Sequence, residues 1–412
     1  MTNNLFIGKP LAFNVMLKPI GSVCNLNCTY CYYLEKKNLY PDKKKFTIPE
    51  NVLELFIKQY IEIQEIPLIN FVWQGGEPTM LGIDFFKKAF DIQKKYAGKK
   101  QIDNIIQTNG TLLTDEWCKF FNDNNILVGI SVDGPEFLHN KYRKRTDNQD
   151  TFKKVMQGID LLKKDKVEFN TLTTVNDFNV NYPLEVYHFL KDIGSQFMQF
   201  LPVVEREITI ENSAKLKLIQ PEYEQEAELT SWSVGSKEYG DFLIGIFNEW
   251  VRNDVSKYYV QLFDATLANW VGANPGLCVY KEICGDALAM EHNGDIYSCD
   301  HFVYPEEFIG NILEDSLIEM VKSEKQLKFG ERKLKSLPKQ CLKCDYRFTC
   351  HGECPKHRIS YSKDGEYGLN HLCEGLYNFF SHVHPYMQFM TDELKNKRPP
   401  ANVMQWARKI KA

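Results

Sequence analysis

The stretch Cys24-Asn25-Leu26-Asn27-Cys28-Thr29-Tyr30-Cys31 constrains this chain more than any other. Three thiols at C-x3-C-x2-C spacing follow directly on a strand-like run, residues 13–20. An iron–sulfur cube ordinarily takes four Cys thiolates. Three close thiols with no obvious fourth therefore point to a cube with one iron left open. An open metal position is what a catalytic site needs and a structural site avoids. A zinc knuckle or simple buried thiols would use the same three residues, so the rest of the chain must decide.

The placement of the other cysteines bears on that choice. Of the 12 Cys, three lie in 24–31, Cys118 stands alone, and eight lie between Cys278 and Cys373. No basic footprint for nucleic acid accompanies a formal net charge of -4. No apolar run reaches the ~18 residues of a membrane span. Met1-Thr2-Asn3-Asn4 lacks the charged-then-apolar layout of a signal peptide. The expectation is a cytoplasmic protein with neither nucleic-acid nor membrane partners. In a reducing compartment its thiols serve as metal ligands sooner than as disulfides. At 412 residues there is room for two or three domains, a catalytic cluster at one end and a metal-rich module at the other.

Between them the pattern alternates strand and helix. Strands are expected at 13–20, 68–73, 103–107, 126–132, 168–175 and 196–201, and helices at 49–63, 84–96, 115–122, 152–164 and 183–193. Helical spacing of Val52, Leu53, Phe56, Ile57 and Tyr60 behind Pro49 marks the first helix. Six strands alternating with helices predict parallel βαβ units with right-handed crossovers, wound into a sheet or a partial barrel. Chemistry in such folds gathers at the carboxyl ends of the strands. The polar and glycine-bearing signals fall there: Gly75-Gly76-Glu77-Pro78, Thr108-Asn109-Gly110 and Asp133-Gly134. The paired glycines let backbone come close to a ligand, and Glu77 can accept from an ammonium group.

The Cys loop with its aromatic Tyr30, followed by Gly75-Gly76-Glu77-Pro78, resembles the radical S-adenosyl-L-methionine (SAM) enzymes over about 13–204. That resemblance implies a partial (β/α)6 barrel and a [4Fe–4S] cube on Cys24, Cys28 and Cys31 whose open iron holds SAM. It implies SAM contacts from Tyr30, Gly75, Gly76, Glu77, Ser131, Arg143 and Val204. The plain alternatives are turn glycines, a core-edge serine and a solvated basic turn.

The second cysteine group reads Cys278-x5-Cys284-x9-Gly294-x4-Cys299, then Cys341-x2-Cys344-x5-Cys350-x3-Cys354, and after 18 residues Cys373. Several independent gaps together resemble the SPASM domain of radical SAM peptide-modifying enzymes. The resemblance implies two fully ligated [4Fe–4S] clusters, one on Cys278, Cys284, Cys299 and Cys354, the other on Cys341, Cys344, Cys350 and Cys373. With the first cube this makes three clusters and leaves only Cys118, expected in the core. Two zinc sites of four thiolates would use the same spacing. The expected units are a radical SAM partial barrel at 1–204, a helical connector at 205–277, the SPASM domain at 278–375 and a helical tail at 376–412. Pro385 is expected to break or kink the helix at 376–390, and a short amphipathic tail is expected at 403–411. His351 and His357 are expected to be ordinary neighbours rather than ligands, and the Lys-rich stretch 322–339 a solvated helix face.

Asp300 directly follows Cys299, and Cys299-Asp300-His301 with the Cys24–Tyr33 loop resembles the anaerobic sulfatase-maturating enzymes. In that family the Asp takes the proton from a Cys or Ser of a sulfatase polypeptide as it is oxidised to Cα-formylglycine. A low-potential donor such as flavodoxin or ferredoxin is then implied. A thioether-forming or cyclising SPASM enzyme is the neighbouring alternative. The short stretch ahead of the first strand, with no room for a separate peptide-recognition domain, counts against it. A non-catalytic metal scaffold is the alternative from outside the superfamily.

Overall fold

The computed structural model describes residues 10–42, 45–209, 215–223 and 227–410. Met1–Asn4 and the last residues of the expected C-terminal tail, Lys411 and Ala412, lie outside these. The six expected strands form: β1 (Asn14–Lys18), β2 (Leu68–Trp73), β3 (Gln101–Thr108), β4 (Leu127–Ser131), β5 (Phe169–Val175) and β6 (Phe197–Pro202). They lie side by side in chain order and are all parallel. The order never reverses, so the sheet lacks the switch point of a doubly wound fold.

Helices fill the crossovers: α1 (Glu50–Ile63), α2 (Ile83–Ala97), α3 (Asp115–Asp123), α4 (Glu136–Tyr142), α5 (Phe152–Lys164) and α6 (Pro183–Asp192). Helix α1 buries Val52, Leu53, Phe56, Ile57, Tyr60 and Ile61 against the sheet, as its 3.6-residue spacing requires. Cys118 is buried in α3 among Trp117, Phe120 and Phe121. Helix α4 was not foreseen; at seven residues it is too short to show a period.

The first strand of the cysteine-rich region extends this same sheet. Ala287–Glu291 pairs in parallel with β1 on the side opposite β2, with Lys18 beside Glu291. Two antiparallel strands, Asp295–Tyr297 and Phe308–Asn311, continue it. At the far edge Tyr259–Val260 joins β6. The sheet therefore places the loop that leaves β1 next to the segment carrying Cys299.

The connector is less purely helical than expected. Three two-residue strands, at 206–207, 218–219 and 228–229, precede the helices α7 (Ser236–Asn253) and α8 (Gln261–Val271). The last long helix, Cys373–Lys395, packs on both and runs unbroken through Pro385. Phe247, Phe263 and Phe379 meet at that interface, and Gly240 and Gly375 let α7 and this helix touch. Among the described residues no helix is long and apolar enough to cross a membrane.

Candidate active site

The three-thiol loop is held from three sides by uncharged groups. Behind it, the Gly75–Glu77 turn is bound to the segment just before Cys24. Gly76 N donates to Gly21 O at 2.8 Å and Glu77 N to Val23 O at 3.0 Å. A Cβ on Gly76 would stand 1.9 Å from Val23 O, and Gly75 has a φ of 129° that disfavours other residues. The close approach these glycines permit in this structure is therefore to the Cys loop itself. From the end of β3, Asn109 Nδ2 donates to Asn25 Oδ1 at 2.9 Å and reaches Cys24 Sγ at 3.7 Å. From the third side, Asn27 N donates to Lys144 O at 2.8 Å and Thr29 N to Tyr142 O at 3.1 Å.

Glu77 is fully buried. Its carboxylate accepts from Thr79 N, Thr79 Oγ1, Thr108 Oγ1 and Asn109 N at 2.6–3.0 Å. Burial raises its pKa, and these four donors work against that shift. The side chain ties the Gly-Gly turn to the end of β3, instead of standing open to an ammonium group as read from the sequence.

Tyr30 and Arg143 meet on Asp133, just past β4, a strand-end signal to which the sequence assigns no role. The Tyr30 hydroxyl donates to it, and Arg143 pairs with both of its oxygens at 2.9 and 3.1 Å. Burial works against the Arg143 charge, but the nearby Asp133 holds its pKa above the ordinary value. Ser131 accepts from Gln107 Nε2 at 3.2 Å, and Val204 is buried in the core after β6.

Asp300 sits where the two cysteine groups meet. Its Oδ1 pairs with the ammonium of Lys18, the last residue of β1, and its Oδ2 accepts from Tyr32 Oη at 2.6 Å. Lys18 also donates to Gln74 Oε1 at 2.8 Å, just ahead of Gly75. Burial alone would raise the Asp300 pKa, yet Lys18 pulls it below the usual carboxylate value. The carboxylate is therefore ionised and bound to both the β1 end and the aromatic beside Cys31. Neither Lys18 nor Tyr32 was assigned a role from sequence. A lysine closing a strand at the catalytic end of the sheet was the available signal for the first.

The remaining thiols fall into the two expected sets. Cys278, Cys284, Cys299 and Cys354 line a cavity of about 170 Å³ that also borders Asp300. Cys341, Cys344, Cys350 and Cys373 line a second, of about 770 Å³. The larger cavity is not the one beside Asp300. Within each set the thiols face one another: Cys299 feels Cys278, Cys354 and Cys284, while Cys373 feels Cys341 and Cys344. Among the described residues no three His, Cys, Asp or Glu gather at single-ion distance. All-thiol donor sets lining two cavities fit iron–sulfur clusters by their chemistry. His351 and His357 line neither cavity, and the His357 ring bonds Glu353 at 2.8 Å.

The model of the radical SAM superfamily matches residues 19–190, and that of the SPASM iron–sulfur cluster-binding domain matches 278–345. A serine-type anaerobic sulfatase-maturating enzyme of Bacteroides thetaiotaomicron is 52% identical over 96% of this chain and 95% of its own length. The chain belongs to the anaerobic sulfatase-maturating enzymes. A cysteine-type member from Clostridium perfringens is 31% identical over 93% of this chain and 99% of its own. The solved structure of native anSMEcpe with bound AdoMet and Cp18Cys peptide superposes with a TM-score of 0.81 at 30% identity, covering 93% of this chain and all of that one. This sulfatase-maturating enzyme is thus a radical SAM oxidoreductase with an α/β core and a Cys-rich SPASM domain.

Proposed function

We propose that the chain oxidises a Ser or Cys side chain in a sulfatase polypeptide to Cα-formylglycine, with Asp300 as the base. The observation that carries the reading is the position of Asp300. It follows Cys299, borders the cavity of that thiol set, and is bound through Lys18 and Tyr32 to the elements that carry the Cys24–Cys31 loop.

Cys24, Cys28 and Cys31 would hold one [4Fe–4S] cube, and the two four-thiol sets one auxiliary cluster each. When bound, SAM and the reduced cube supply the hydrogen-abstracting radical, and the auxiliary clusters supply a place for the departing electron. The protein's own part is positioning and proton transfer. The Gly75–Glu77 turn and Asn109 fix the thiol loop, and the backbone of that turn together with Tyr30, Ser131, Arg143 and Val204 would supply the SAM contacts. Asp300 accepts the hydroxyl or thiol proton; as an ionised carboxylate it is in the right form at neutral pH. Lys18 and Tyr32 hold both of its oxygens, so its lone pairs are aimed before substrate arrives.

The six β/α units form the partial barrel at 1–204, with the connector, SPASM domain and tail at 205–277, 278–375 and 376–412. The substrate is a serine peptide at least as readily as a cysteine peptide, on the strength of the higher identity to the serine-type relative. The reductant is a low-potential donor of the flavodoxin or ferredoxin kind, and the compartment is the cytoplasm. The test is anaerobic incubation of the reconstituted protein with SAM, dithionite and sulfatase-derived Ser and Cys peptides, followed by mass spectrometry. The Ser peptide is expected to lose two hydrogens, and the Cys peptide to do so with sulfur replaced by oxygen. SAM cleavage with both peptides unchanged would overturn the sulfatase assignment.

A further inference from the structure

The segment Cys350-His351-Gly352-Glu353-Cys354 joins the two auxiliary thiol sets, one through each end. Its backbone is unusual. His351, Gly352 and Glu353 have φ of 47°, 72° and 49°, three left-handed residues in a row. Glycine takes that region freely, whereas His and Glu do so only where the surroundings over-determine it. At Gly352 a Cβ would lie 2.4 Å from Leu337 Cδ2 and 2.6 Å from Arg358 Nη2, so any larger residue would displace the Arg358 guanidinium or the Leu337 side chain.

Arg358 is what holds this bridge. It is 4% exposed and spends its donors on carbonyls: Nη2 to His351 O at 3.0 Å, Nε to Gly352 O at 3.1 Å, and Nη1 to Lys333 O at 2.6 Å, with Ser336 Oγ at 3.1 Å. Among the described residues it forms no salt bridge to a carboxylate. The bridge's own acid, Glu353, is taken by His357 at 2.8 Å and Asn370 at 2.7 Å. A buried guanidinium without a counter-anion is costly. Glu353 acts on its charge without bonding to it, and so do thiols of both sets: Cys354 and Cys284 of one, Cys341 and Cys350 of the other. Lys333 makes a useful contrast. It too is buried, bonding Cys278 O and Val279 O at 2.7 Å, but the thiols it acts on, Cys284, Cys278 and Cys354, all belong to one set.

We infer that Arg358 is a positioning residue shared by the two auxiliary clusters: it clamps the left-handed bridge between them and supplies a countercharge that faces both. The inference rests on the cluster assignment proposed above. A fixed cation favours the reduced, more negative state of a cluster beside it. Arg358 therefore sets the potentials of both clusters together, while Lys333 sets only the one on Cys278, Cys284, Cys299 and Cys354.

The test is an anaerobic potentiometric titration, followed by electron paramagnetic resonance and iron analysis, of the full-length reconstituted protein and its R358Q, R358K and K333Q variants. R358Q is expected to shift both auxiliary potentials to more negative values, and K333Q only one. R358K keeps the charge and loses the fork, so its potentials shift less while the signals of both clusters change shape. If R358Q leaves either auxiliary potential unmoved with iron bound, or K333Q moves both alike, the inference is wrong. Should R358Q fail to retain iron, R358K decides: a change confined to one cluster overturns it. Absence of auxiliary signals in the unaltered protein would instead refute the cluster assignment.

Discussion

Around Cys24, Cys28 and Cys31 the thiols are held by neutral contacts, and the cations that act on them, Arg143 and Lys18, each have a carboxylate of their own in Asp133 and Asp300. Around the two four-thiol sets the balance differs. Lys333 and Arg358 are buried on backbone carbonyls with no acid bound to either among the described residues. The cations beside the three thiols are therefore paired with carboxylates, whereas in the SPASM region Lys333 and Arg358 face thiols, with Glu353 a nearby acid that bonds to neither. The first can stay formed whatever it holds; the second is completed by what it binds.

The most damaging change on the balanced side is Gly76→Ala. Its Cβ would meet the backbone at Val23, which cannot swing aside as a side chain can. A cost at or above the ~3 kcal/mol end of overpacking is expected. Anaerobic assays should find SAM cleavage lost while the auxiliary cluster signals remain. Retention of near-normal cleavage would mean that the turn does not set the Cys loop.

Iron removal tests the other side. Chelation under anaerobic conditions should strip hydrogen-exchange protection from residues 333–358 far more than from residues 21–31. Equal loss in both would break the distinction drawn here.

A smaller effect comes from His139, buried in α4 with its ring against Asp133 N and Thr151 Oγ1. Burial, and then the Arg143 charge, lower its pKa to about 3. The folded state keeps this ring neutral while the unfolded chain protonates it below its ordinary value of 6.5. The unfolded state thus binds more protons between those values, and stability falls as pH falls through that window by up to ~1.4 kcal/mol per unit. Denaturant titrations at pH 7 and pH 5.5 should show a shallower pH dependence in His139→Asn than in the unaltered chain.

Much of this arrangement was legible in the residues. The strand–helix alternation needs only local periodicity, and the division into two four-thiol sets that the SPASM resemblance implies matches the two cavities that they line. What sequence did not reveal depends on partners far along the chain. Lys18 and Asp300 are 282 positions apart, and only the pairing of β1 with Ala287–Glu291 brings them together. Lys333 lies in a stretch read as a solvated face, yet its ammonium is buried on carbonyls, which leave no mark in the sequence. Glu77 was read as open to a ligand because its four donors come from Thr79 and from a strand end that only the fold delivers. Pro385 sits inside a continuous helix because the packing of Cys373–Lys395 on α7 and α8 outweighs one lost backbone bond.

The measurement that bears most directly on the whole account is the separation of SAM cleavage from peptide oxidation in Asp300→Asn. Asparagine keeps the shape and cannot take the proton. Under anaerobic conditions with a Ser peptide, aldehyde formation is expected to fall by about 10²–10⁴-fold, with 5′-deoxyadenosine still formed. Aldehyde appearing at the unaltered rate would contradict the assignment of Asp300 as the base and, with it, the meaning given to its ties to Lys18 and Tyr32.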